Sequence, residues 1–382
     1  MNERGLKAIV ATTPNNVFYF SEFDCWMYRG FKEYFHMPGA PDILLQSYAV
    51  LPSEGDAAII VKSDTAGFAK DLWIKDTRTY SAPTDTEAIE KGPSHALELS
   101  LKDRGITSGT VGIEPSNLSE TVLLRTKKTL PNVRFVDCSN LIRLIRMIKT
   151  KEEIDRIKRA AEISEKAILR VLGELKPGME LGEIMTSYSA ETAKEGAFFD
   201  HLIYDPQGSG ITSSPNLRIQ KNSFFFFDYG CIFGQYYSDS GKTIFVDGVS
   251  KEHSDTYQTL WQVIEETRDA IRPGILTSSI LGMLSKKLAS SGITKIYAHG
   301  HAIGLEPREH PVIMHGDYKK ISDDVVSVST DMPLEEGMTF NLEAPYDLPG
   351  VGSFQVERTF LMKDNSAEEL FVQKEGLPFV RN

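Results

Sequence analysis

Five residues in the second half of the chain have types and surroundings that packing alone does not explain. Asp228 directly follows Phe224 to Phe227, so a carboxylate emerges from a run that reads as a strand covered on both faces. Asp239 comes 11 residues later, after a stretch through Gly230 and Gly234 that reads as the turn of a hairpin. His301 sits in the Gly-rich segment His299-Gly300-His301-Ala302-Ile303-Gly304. Glu343 closes the apolar run Met338 to Leu342, and Glu357 lies inside the run Phe354 to Met362. An acid in an apolar strand is costly unless something positive compensates it. Singly, each has an ordinary explanation: a capped turn for either aspartate, a loop histidine, or ion pairs of the glutamates with Lys242 or Arg358. Together they offer four carboxylates and one imidazole, a set that two divalent cations would neutralise. Oxygen-rich ligation with a single imidazole suits Mn, Fe or Co, and Zn is also compatible. Two-metal sites lower the pKa of bound water from 15.7 to about 7 and clamp both oxygens of a reacting centre.

The elements that must position these residues follow from periodicity. Thr150 and Glu153 form a capping box that opens a long helix with Ile154, Ile157, Ala161, Ile168, Leu172 and Leu175 on one stripe, ended by Pro177-Gly178. A second helix is expected over 180–195, and further helices over 251–271 and 278–289. Strands are expected over 198–204, 223–227, 242–246, 338–342 and 354–362. Strand-rich and helical stretches without strict alternation indicate an α+β domain. The acidic, polar stretch from Met314 to Pro333 reads as a long loop. Before residue 147, apolar runs over 7–11, 47–51, 57–61 and 110–113 alternate with helical patterns over 86–104 and 118–130. That alternation indicates an α/β layer. It contains no Gly-rich phosphate loop and no dinucleotide fingerprint.

The order and spacing of the five residues resemble the pita-bread metallopeptidase family of prolidase, aminopeptidase P, methionine aminopeptidase and creatinase. FFFFDYGCIFGQYYSDSGKTIFV resembles the family's two-aspartate hairpin, HGHAIGLEPREHP its His-Gly-Ile-Gly segment, EGMTFNLEAPY its fourth-ligand segment and FQVERTFLM its closing Glu strand. LIRLIRMIKTKEEIDRIKRAAEI resembles the family's linker and first catalytic helix, and NNVFYFSEF resembles the amino-terminal domain of the prolidase and creatinase branch. The resemblance implies an α/β amino-terminal domain over 1–146 and an α+β pita-bread catalytic domain over 147–382. It implies a hydrolase of amide bonds that carries two divalent ions, with Xaa-Pro dipeptides as the default substrate. Asp228 would hold one ion and His301 with Glu343 the other, with Asp239 and Glu357 bridging. Glu343 would also shuttle the proton from attacking water to leaving nitrogen. A homodimer is implied on the same ground.

The chain departs from the family pattern around the substrate. Where prolidase-like members place a His seven positions after the ligand His, this chain has Arg308. No His stands between Asp205 and Phe227, and the family's Arg two positions before the last ligand is Gln355. Ala344 replaces a usual Pro, and Gly241-Lys242-Thr243 a usual Thr-Arg-Thr. Arg308 can only donate, and suits an oxyanion or a substrate carboxylate, unless Glu306 or Glu309 takes it in a rim ion pair. His201 and His310 are candidates to replace the missing imidazoles at the substrate, with Gln355 beside them. His299 is placed to support the ligand His301. These losses leave room for a second reading, an enzyme of the same fold acting on a small non-peptide molecule by hydrolysis or elimination. A non-catalytic binding module is disfavoured because all five ligand positions are filled.

Composition narrows the partners. Lys plus Arg number 42 against 53 Asp plus Glu, a formal net charge of −11, with no basic run, so nucleic acid and anionic membrane surfaces are not expected partners. The hydrophobic fraction of 41% and charged fraction of 25% over 382 residues fit a globular chain of two domains. Cys25, Cys138 and Cys231 are too few and too scattered for a disulfide framework and read as buried small hydrophobes. No apolar stretch of signal-peptide or membrane-span length is found, so a cytoplasmic enzyme is expected.

Overall fold

The computed structural model describes residues 1–28, 45–81, 86–208, 210–294, 296–314, 320–371 and 379–380. The chain divides into two compact units, Met1–Ile142 with Lys320–Val328, and Arg143–Lys319 with Ser329–Asn382.

The first unit is built on six strands: β1 (Leu6–Ala11), β2 (Tyr48–Pro52), β3 (Ala58–Lys62), β4 (Asp76–Tyr80), β5 (Gly109–Ile113) and β6 (Val133–Asp137). Their order is β4-β3-β2-β1-β5-β6, antiparallel at β1–β2 and β2–β3 and parallel elsewhere. Residues of the helices Thr86–Asp103 and Glu120–Thr129, among them Leu97, Leu101 and Val122, pack on Ala8, Val10, Val50, Ile60 and Val111. Alternate strand residues Ile59 and Val61 meet Val17, Phe23 and Ile74 on the opposite face. Period-2 alternation thus feeds two apolar layers from one sheet, the α/β arrangement expected. The expected strands and helices are present within a few residues. β4, β6 and the helix Pro14–Ser21 are additional. β4 escapes a hydrophobic reading because, as an edge strand, it carries Asp76, Thr77, Arg78 and Thr79.

The stretch expected to be a long loop is partly regular. Residues 315–319 lie outside the described residues, but β13 (Lys320–Ser322) and β14 (Ser327–Ser329) form a two-stranded ribbon. Its tip is part of the first unit. The Asp323 carboxylate accepts hydrogen bonds from the backbone N–H groups of Asn140 (2.8 Å) and Leu141 (3.1 Å) at the start of the helix Ser139–Ile145, and Asp324 accepts one from the Asp137 N–H (2.8 Å). Val325 packs against Leu6, Ile9, Val136, Cys138 and Ile142.

The second unit opens with the helix Lys151–Glu174, whose Thr150 and Glu153 form the expected capping box, followed by the helix Leu181–Lys194. Its main sheet contains β7 (Phe198–Asp205), β8 (Phe224–Phe233), β10 (Ser240–Val246), β15 (Thr339–Glu343) and β18 (Val356–Met362) in the order β15-β18-β10-β8-β7, all antiparallel. The short strands β9 (Tyr236–Tyr237), β19 (Ala367–Glu369) and β20 (Phe379–Val380) pair with β8, β18 and β10. Two ribbons stand off it, β11 (Gly300–Ala302) with β12 (Glu309–Ile313), and β16 (Tyr346–Leu348) with β17 (Gly352–Phe354). Helices Lys251–Ala270 and Thr277–Ser290 complete the unit.

Alternation decides which side chains face the helices. Phe225, Phe227 and Tyr229 of β8, with Ile244 and Val246 of β10, pack under Ala167, Ile168, Val171, Ile184 and Tyr188. Asp228 therefore lies on the other face. Three expectations are corrected here. Gly230 is inside β8 rather than in a turn; the chain reverses at Gly234 and Gln235, both with positive φ (55° and 77°). The His299–Gly304 segment is not a plain turn, since it contains β11. The run Phe354–Met362 is two strands, broken at Gln355. All three cysteines are buried, and no helix among the described residues is long and apolar enough to cross a membrane.

Candidate metal centre

The antiparallel registers place the acids in one row across the sheet. Glu343 pairs with Glu357, Glu357 with Gly241, and Gly241 with Asp228. Directly opposed residues share a face, so three carboxylates point the same way from three strands. Gly241 keeps the row open: a Cβ there would lie 2.5 Å from the Gln355 side chain and 3.0 Å from Glu357 Oε2. Asp239 precedes β10 by one residue, on the same side as Gly241. His301 is carried in from β11, with Nε2 at 3.2 Å from Glu343 Oε1 and 3.6 Å from Asp239 Oδ2. Its Nδ1–H is given to the Ala302 carbonyl (3.0 Å), which leaves Nε2 facing the acids.

Asn341 holds this arrangement together. It is fully buried, and period-2 alternation puts it beside Glu343 on the same strand face. Its Oδ1 accepts the His301 backbone N–H (2.5 Å), and its amide group donates to Glu343 Oε1 (2.9 Å) and Glu357 Oε1 (2.8 Å). Gln355 Nε2 donates to Glu357 Oε2 (3.1 Å) by the same two-residue spacing. The sequence reading missed Asn341; the signal for it was its place two residues before Glu343.

His201 of β7 reaches the opposite end of the row. Its Nε2 lies 2.9 Å from Asp228 Oδ1 and 3.6 Å from Asp239 Oδ1, and its Nδ1 lies 2.7 Å from Asp200 Oδ2. A register shift between Phe199 and His201 frees Asp200 to bend toward the ring. No sequence pattern announced that bulge.

The electrostatics are those of an acid surplus. Burial, reinforced by the charge on Asp228, pushes the Asp239 carboxyl well above its usual range. Burial, together with Asp239 and Glu343, does the same to Glu357. Burial opposes ionisation of Glu343 too, but hydrogen bonds from His299 and His301 outweigh it and hold its carboxyl low. Burial disfavours charge on His201, yet Asp200 and Asp228 raise its pKa well above the ordinary imidazole value. His299, 3.0 Å from Glu343 Oε2, is raised in the same way against burial. The cations suggested by sequence are engaged elsewhere: Lys242 pairs with Glu165 at 2.9 Å, and Arg358 with Glu369 and Glu265. Four facing carboxylates and a ring nitrogen presented to them fit divalent cations.

Arg308 and His310 lie to one side. Arg308 is exposed and, among the described residues, has no ion pair; its charge is felt at Asp239 and His299. Glu306 and Glu309 are instead engaged by the buried Arg146, and Glu309 also by Lys149 at 2.9 Å. Arg143, Arg146, Arg308, Glu306, Glu309 and His310 line a cavity of about 230 Å³. Burial, with Arg143 beside it, lowers the His310 pKa.

A mixed α/β first unit joined to a sheet that aims four acids and an imidazole at one place defines a metallopeptidase of the pita-bread class. The chain belongs to metallopeptidase family M24, whose model matches residues 155–364, and residues 1–148 match the creatinase/prolidase N-terminal domain. It is 26% identical over 268 residues to an Xaa-Pro dipeptidase of Pyrococcus furiosus, covering 68% of this chain and 73% of that one. It is 28% identical over 243 residues to an uncharacterized peptidase of Staphylococcus epidermidis, covering 62% and 66%. Among solved structures it is similar to an X-Pro aminopeptidase of Thermotoga maritima (TM-score 0.79, 20% identity, 98% of each chain covered). It is also similar to a prolidase of Pyrococcus furiosus (TM-score 0.75, 22% identity, 98% of this chain and 99% of that one). These last two similarities are of fold.

Proposed function

We propose that this metallopeptidase is a dinuclear hydrolase of short peptides, with Xaa-Pro dipeptides as its substrate class. The observation that supports it best is the row Glu343–Glu357–Gly241–Asp228, flanked by Asp239 and His301. Asp228 would hold one cation, His301 and Glu343 the other, with Asp239 and Glu357 shared between them. Divalent ions bound there supply a Lewis acid for the scissile carbonyl and a water acidic enough to attack at neutral pH. The ionised Glu343 is suited to accept the proton of that water and return it to the leaving nitrogen. His299 donates to Glu343 Oε2 and fixes the carboxylate while it does so. Mn, Co, Fe and Zn all suit the donors.

The guanidinium of Arg308, which has no ion pair among the described residues and lines a cavity with Arg143, supports a substrate that carries its own anion. A dipeptide's free carboxylate is such a group, and Arg can hold it with two parallel hydrogen bonds. A panel of Xaa-Pro dipeptides and their C-terminal amides, assayed with Mn, Co and Zn, tests this. Free dipeptides should be preferred, and Arg308→Ala should raise KM for them about 10-fold while leaving KM for the amides unchanged. Cation uptake without turnover of any peptide would transfer the assignment to a small non-peptide substrate, the alternative that the missing substrate-side His and Arg residues leave open. We assign the enzyme to the cytoplasm and to a homodimer; gel filtration of the full chain would check the dimer, and cell fractionation the location.

A further inference from the structure

We propose that His201 is itself a metal ligand, forming with Asp228 and Asp239 a three-donor cation position at the β7 end of the row. This rests on the metallopeptidase reading and adds a donor to its ligand set. One atom each from His201, Asp228 and Asp239 lie within 4.8 Å of one another. His201 Nε2 is 2.9 Å from Asp228 Oδ1 and 3.6 Å from Asp239 Oδ1, within the roughly 4.4 Å that two metal–ligand bonds of about 2.0–2.2 Å can span.

Two further features mark His201 as built for this rather than for substrate. The first is Asp200. Ligating histidines commonly give their other N–H to a carboxylate, which fixes the tautomer and raises the basicity of the ligating nitrogen. Asp200 Oδ2, 2.7 Å from Nδ1, provides that support, and the β7 bulge is what brings it there. The second is Gly230. It pairs with His201 across the ladder, and a Cβ at Gly230 would lie closest to the Ser238 carbonyl oxygen, then 2.6 Å from the imidazole Cε1 and 3.0 Å from Nδ1. The ring occupies the space of a missing side chain, on the face that carries Asp228. At the other end Asn341 positions His301, while His299 is committed to Glu343 Oε2, so each end of the row offers one imidazole as a ligand. Nitrogen at both ends favours Co, Zn or Fe(II) over Mn relative to an end built of carboxylates alone.

The test uses the full-length protein stripped of metal and titrated with Co(II), read by visible d–d absorption and by the paramagnetically shifted, exchangeable imidazole N–H signals. Wild type should give two such signals, from His201 and His301. His201→Gln should lose one, alter the d–d band, and weaken Co(II) affinity by about 100-fold or more. Asp200→Asn, which leaves the ligand in place, should keep both signals and weaken affinity about 10-fold. Unchanged signals and affinity in His201→Gln, with only KM for peptide raised, would overturn the proposal in favour of a substrate contact and leave the metallopeptidase reading intact. Two signals in a wild type that cleaves no peptide would uphold it while the proposed substrate fails.

Discussion

Both sheets bury a glutamate at a strand end, and the two are treated in opposite ways. Glu114, just after β5, is buried and surrounded by neutral donors: the Thr12 and Thr13 N–H groups (2.7 and 3.2 Å), the Thr13 hydroxyl (3.0 Å) and the Asn16 amide (2.5 Å). It closes a loop and has no acidic neighbour among those partners. Glu343 and Glu357 are equally buried, but they face each other, Asp239 and Asp228. Burial of an acid is therefore not what marks a site. The mark is acids gathered where their own repulsion must be answered by something that binds.

Three changes would break or sharpen that contrast. Glu357→Gln should cut peptide turnover by about 10³-fold, roughly 4 kcal/mol in barrier, because the variant removes the carboxylate proposed to be shared between the cations. The same variant stripped of metal should melt no lower than the metal-free wild type, since one of four facing carboxylates is neutralised; calorimetry with and without Co(II) reads both halves. Arg146→Met should destabilise the second unit by about 3 kcal/mol, because Glu309 keeps its burial and loses a partner. Burial alone would raise the Glu309 carboxyl, but Lys149 and Arg146 outweigh it and hold it below its ordinary value. Its stabilising contribution is thus present above about pH 4.3 and lost as the pH falls through the lowered folded value. Urea denaturation of wild type across that range should show this acid limb, and Arg146→Met should flatten it. Glu114→Ala should cost about 2 kcal/mol of first-unit stability with Co(II) affinity unchanged.

Much of the site could be read before the fold was seen, because strand alternation and a carboxylate in an apolar run are local signals. Asp228 after four phenylalanines and Glu357 within an apolar run are of this kind. Register is not local: that Glu343, Glu357 and Asp228 share one row depends on the pairing of Gly241 with Glu357, residues more than a hundred positions apart, which joins two hairpins. Asp200 depended on a bulge and Gly230 on a ring across the ladder, and neither leaves a pattern in its own neighbourhood. Polar edge strand β4 was hidden for the opposite reason, since it lacks the apolar alternation by which strands are found.

The ribbon at 320–328 has a consequence for how the protein is made. The helix start at Ser139 receives its acidic cap, and the Leu6–Val136 cluster its covering valine, from a segment translated nearly two hundred residues later. A ribosome that has released only the first 146 residues has delivered a unit whose helix start has Asp137 on the Ser139 N–H but lacks the Asp323 acceptor for Asn140 and Leu141, and whose apolar seam is open. That half must wait, incomplete, until most of its partner has emerged.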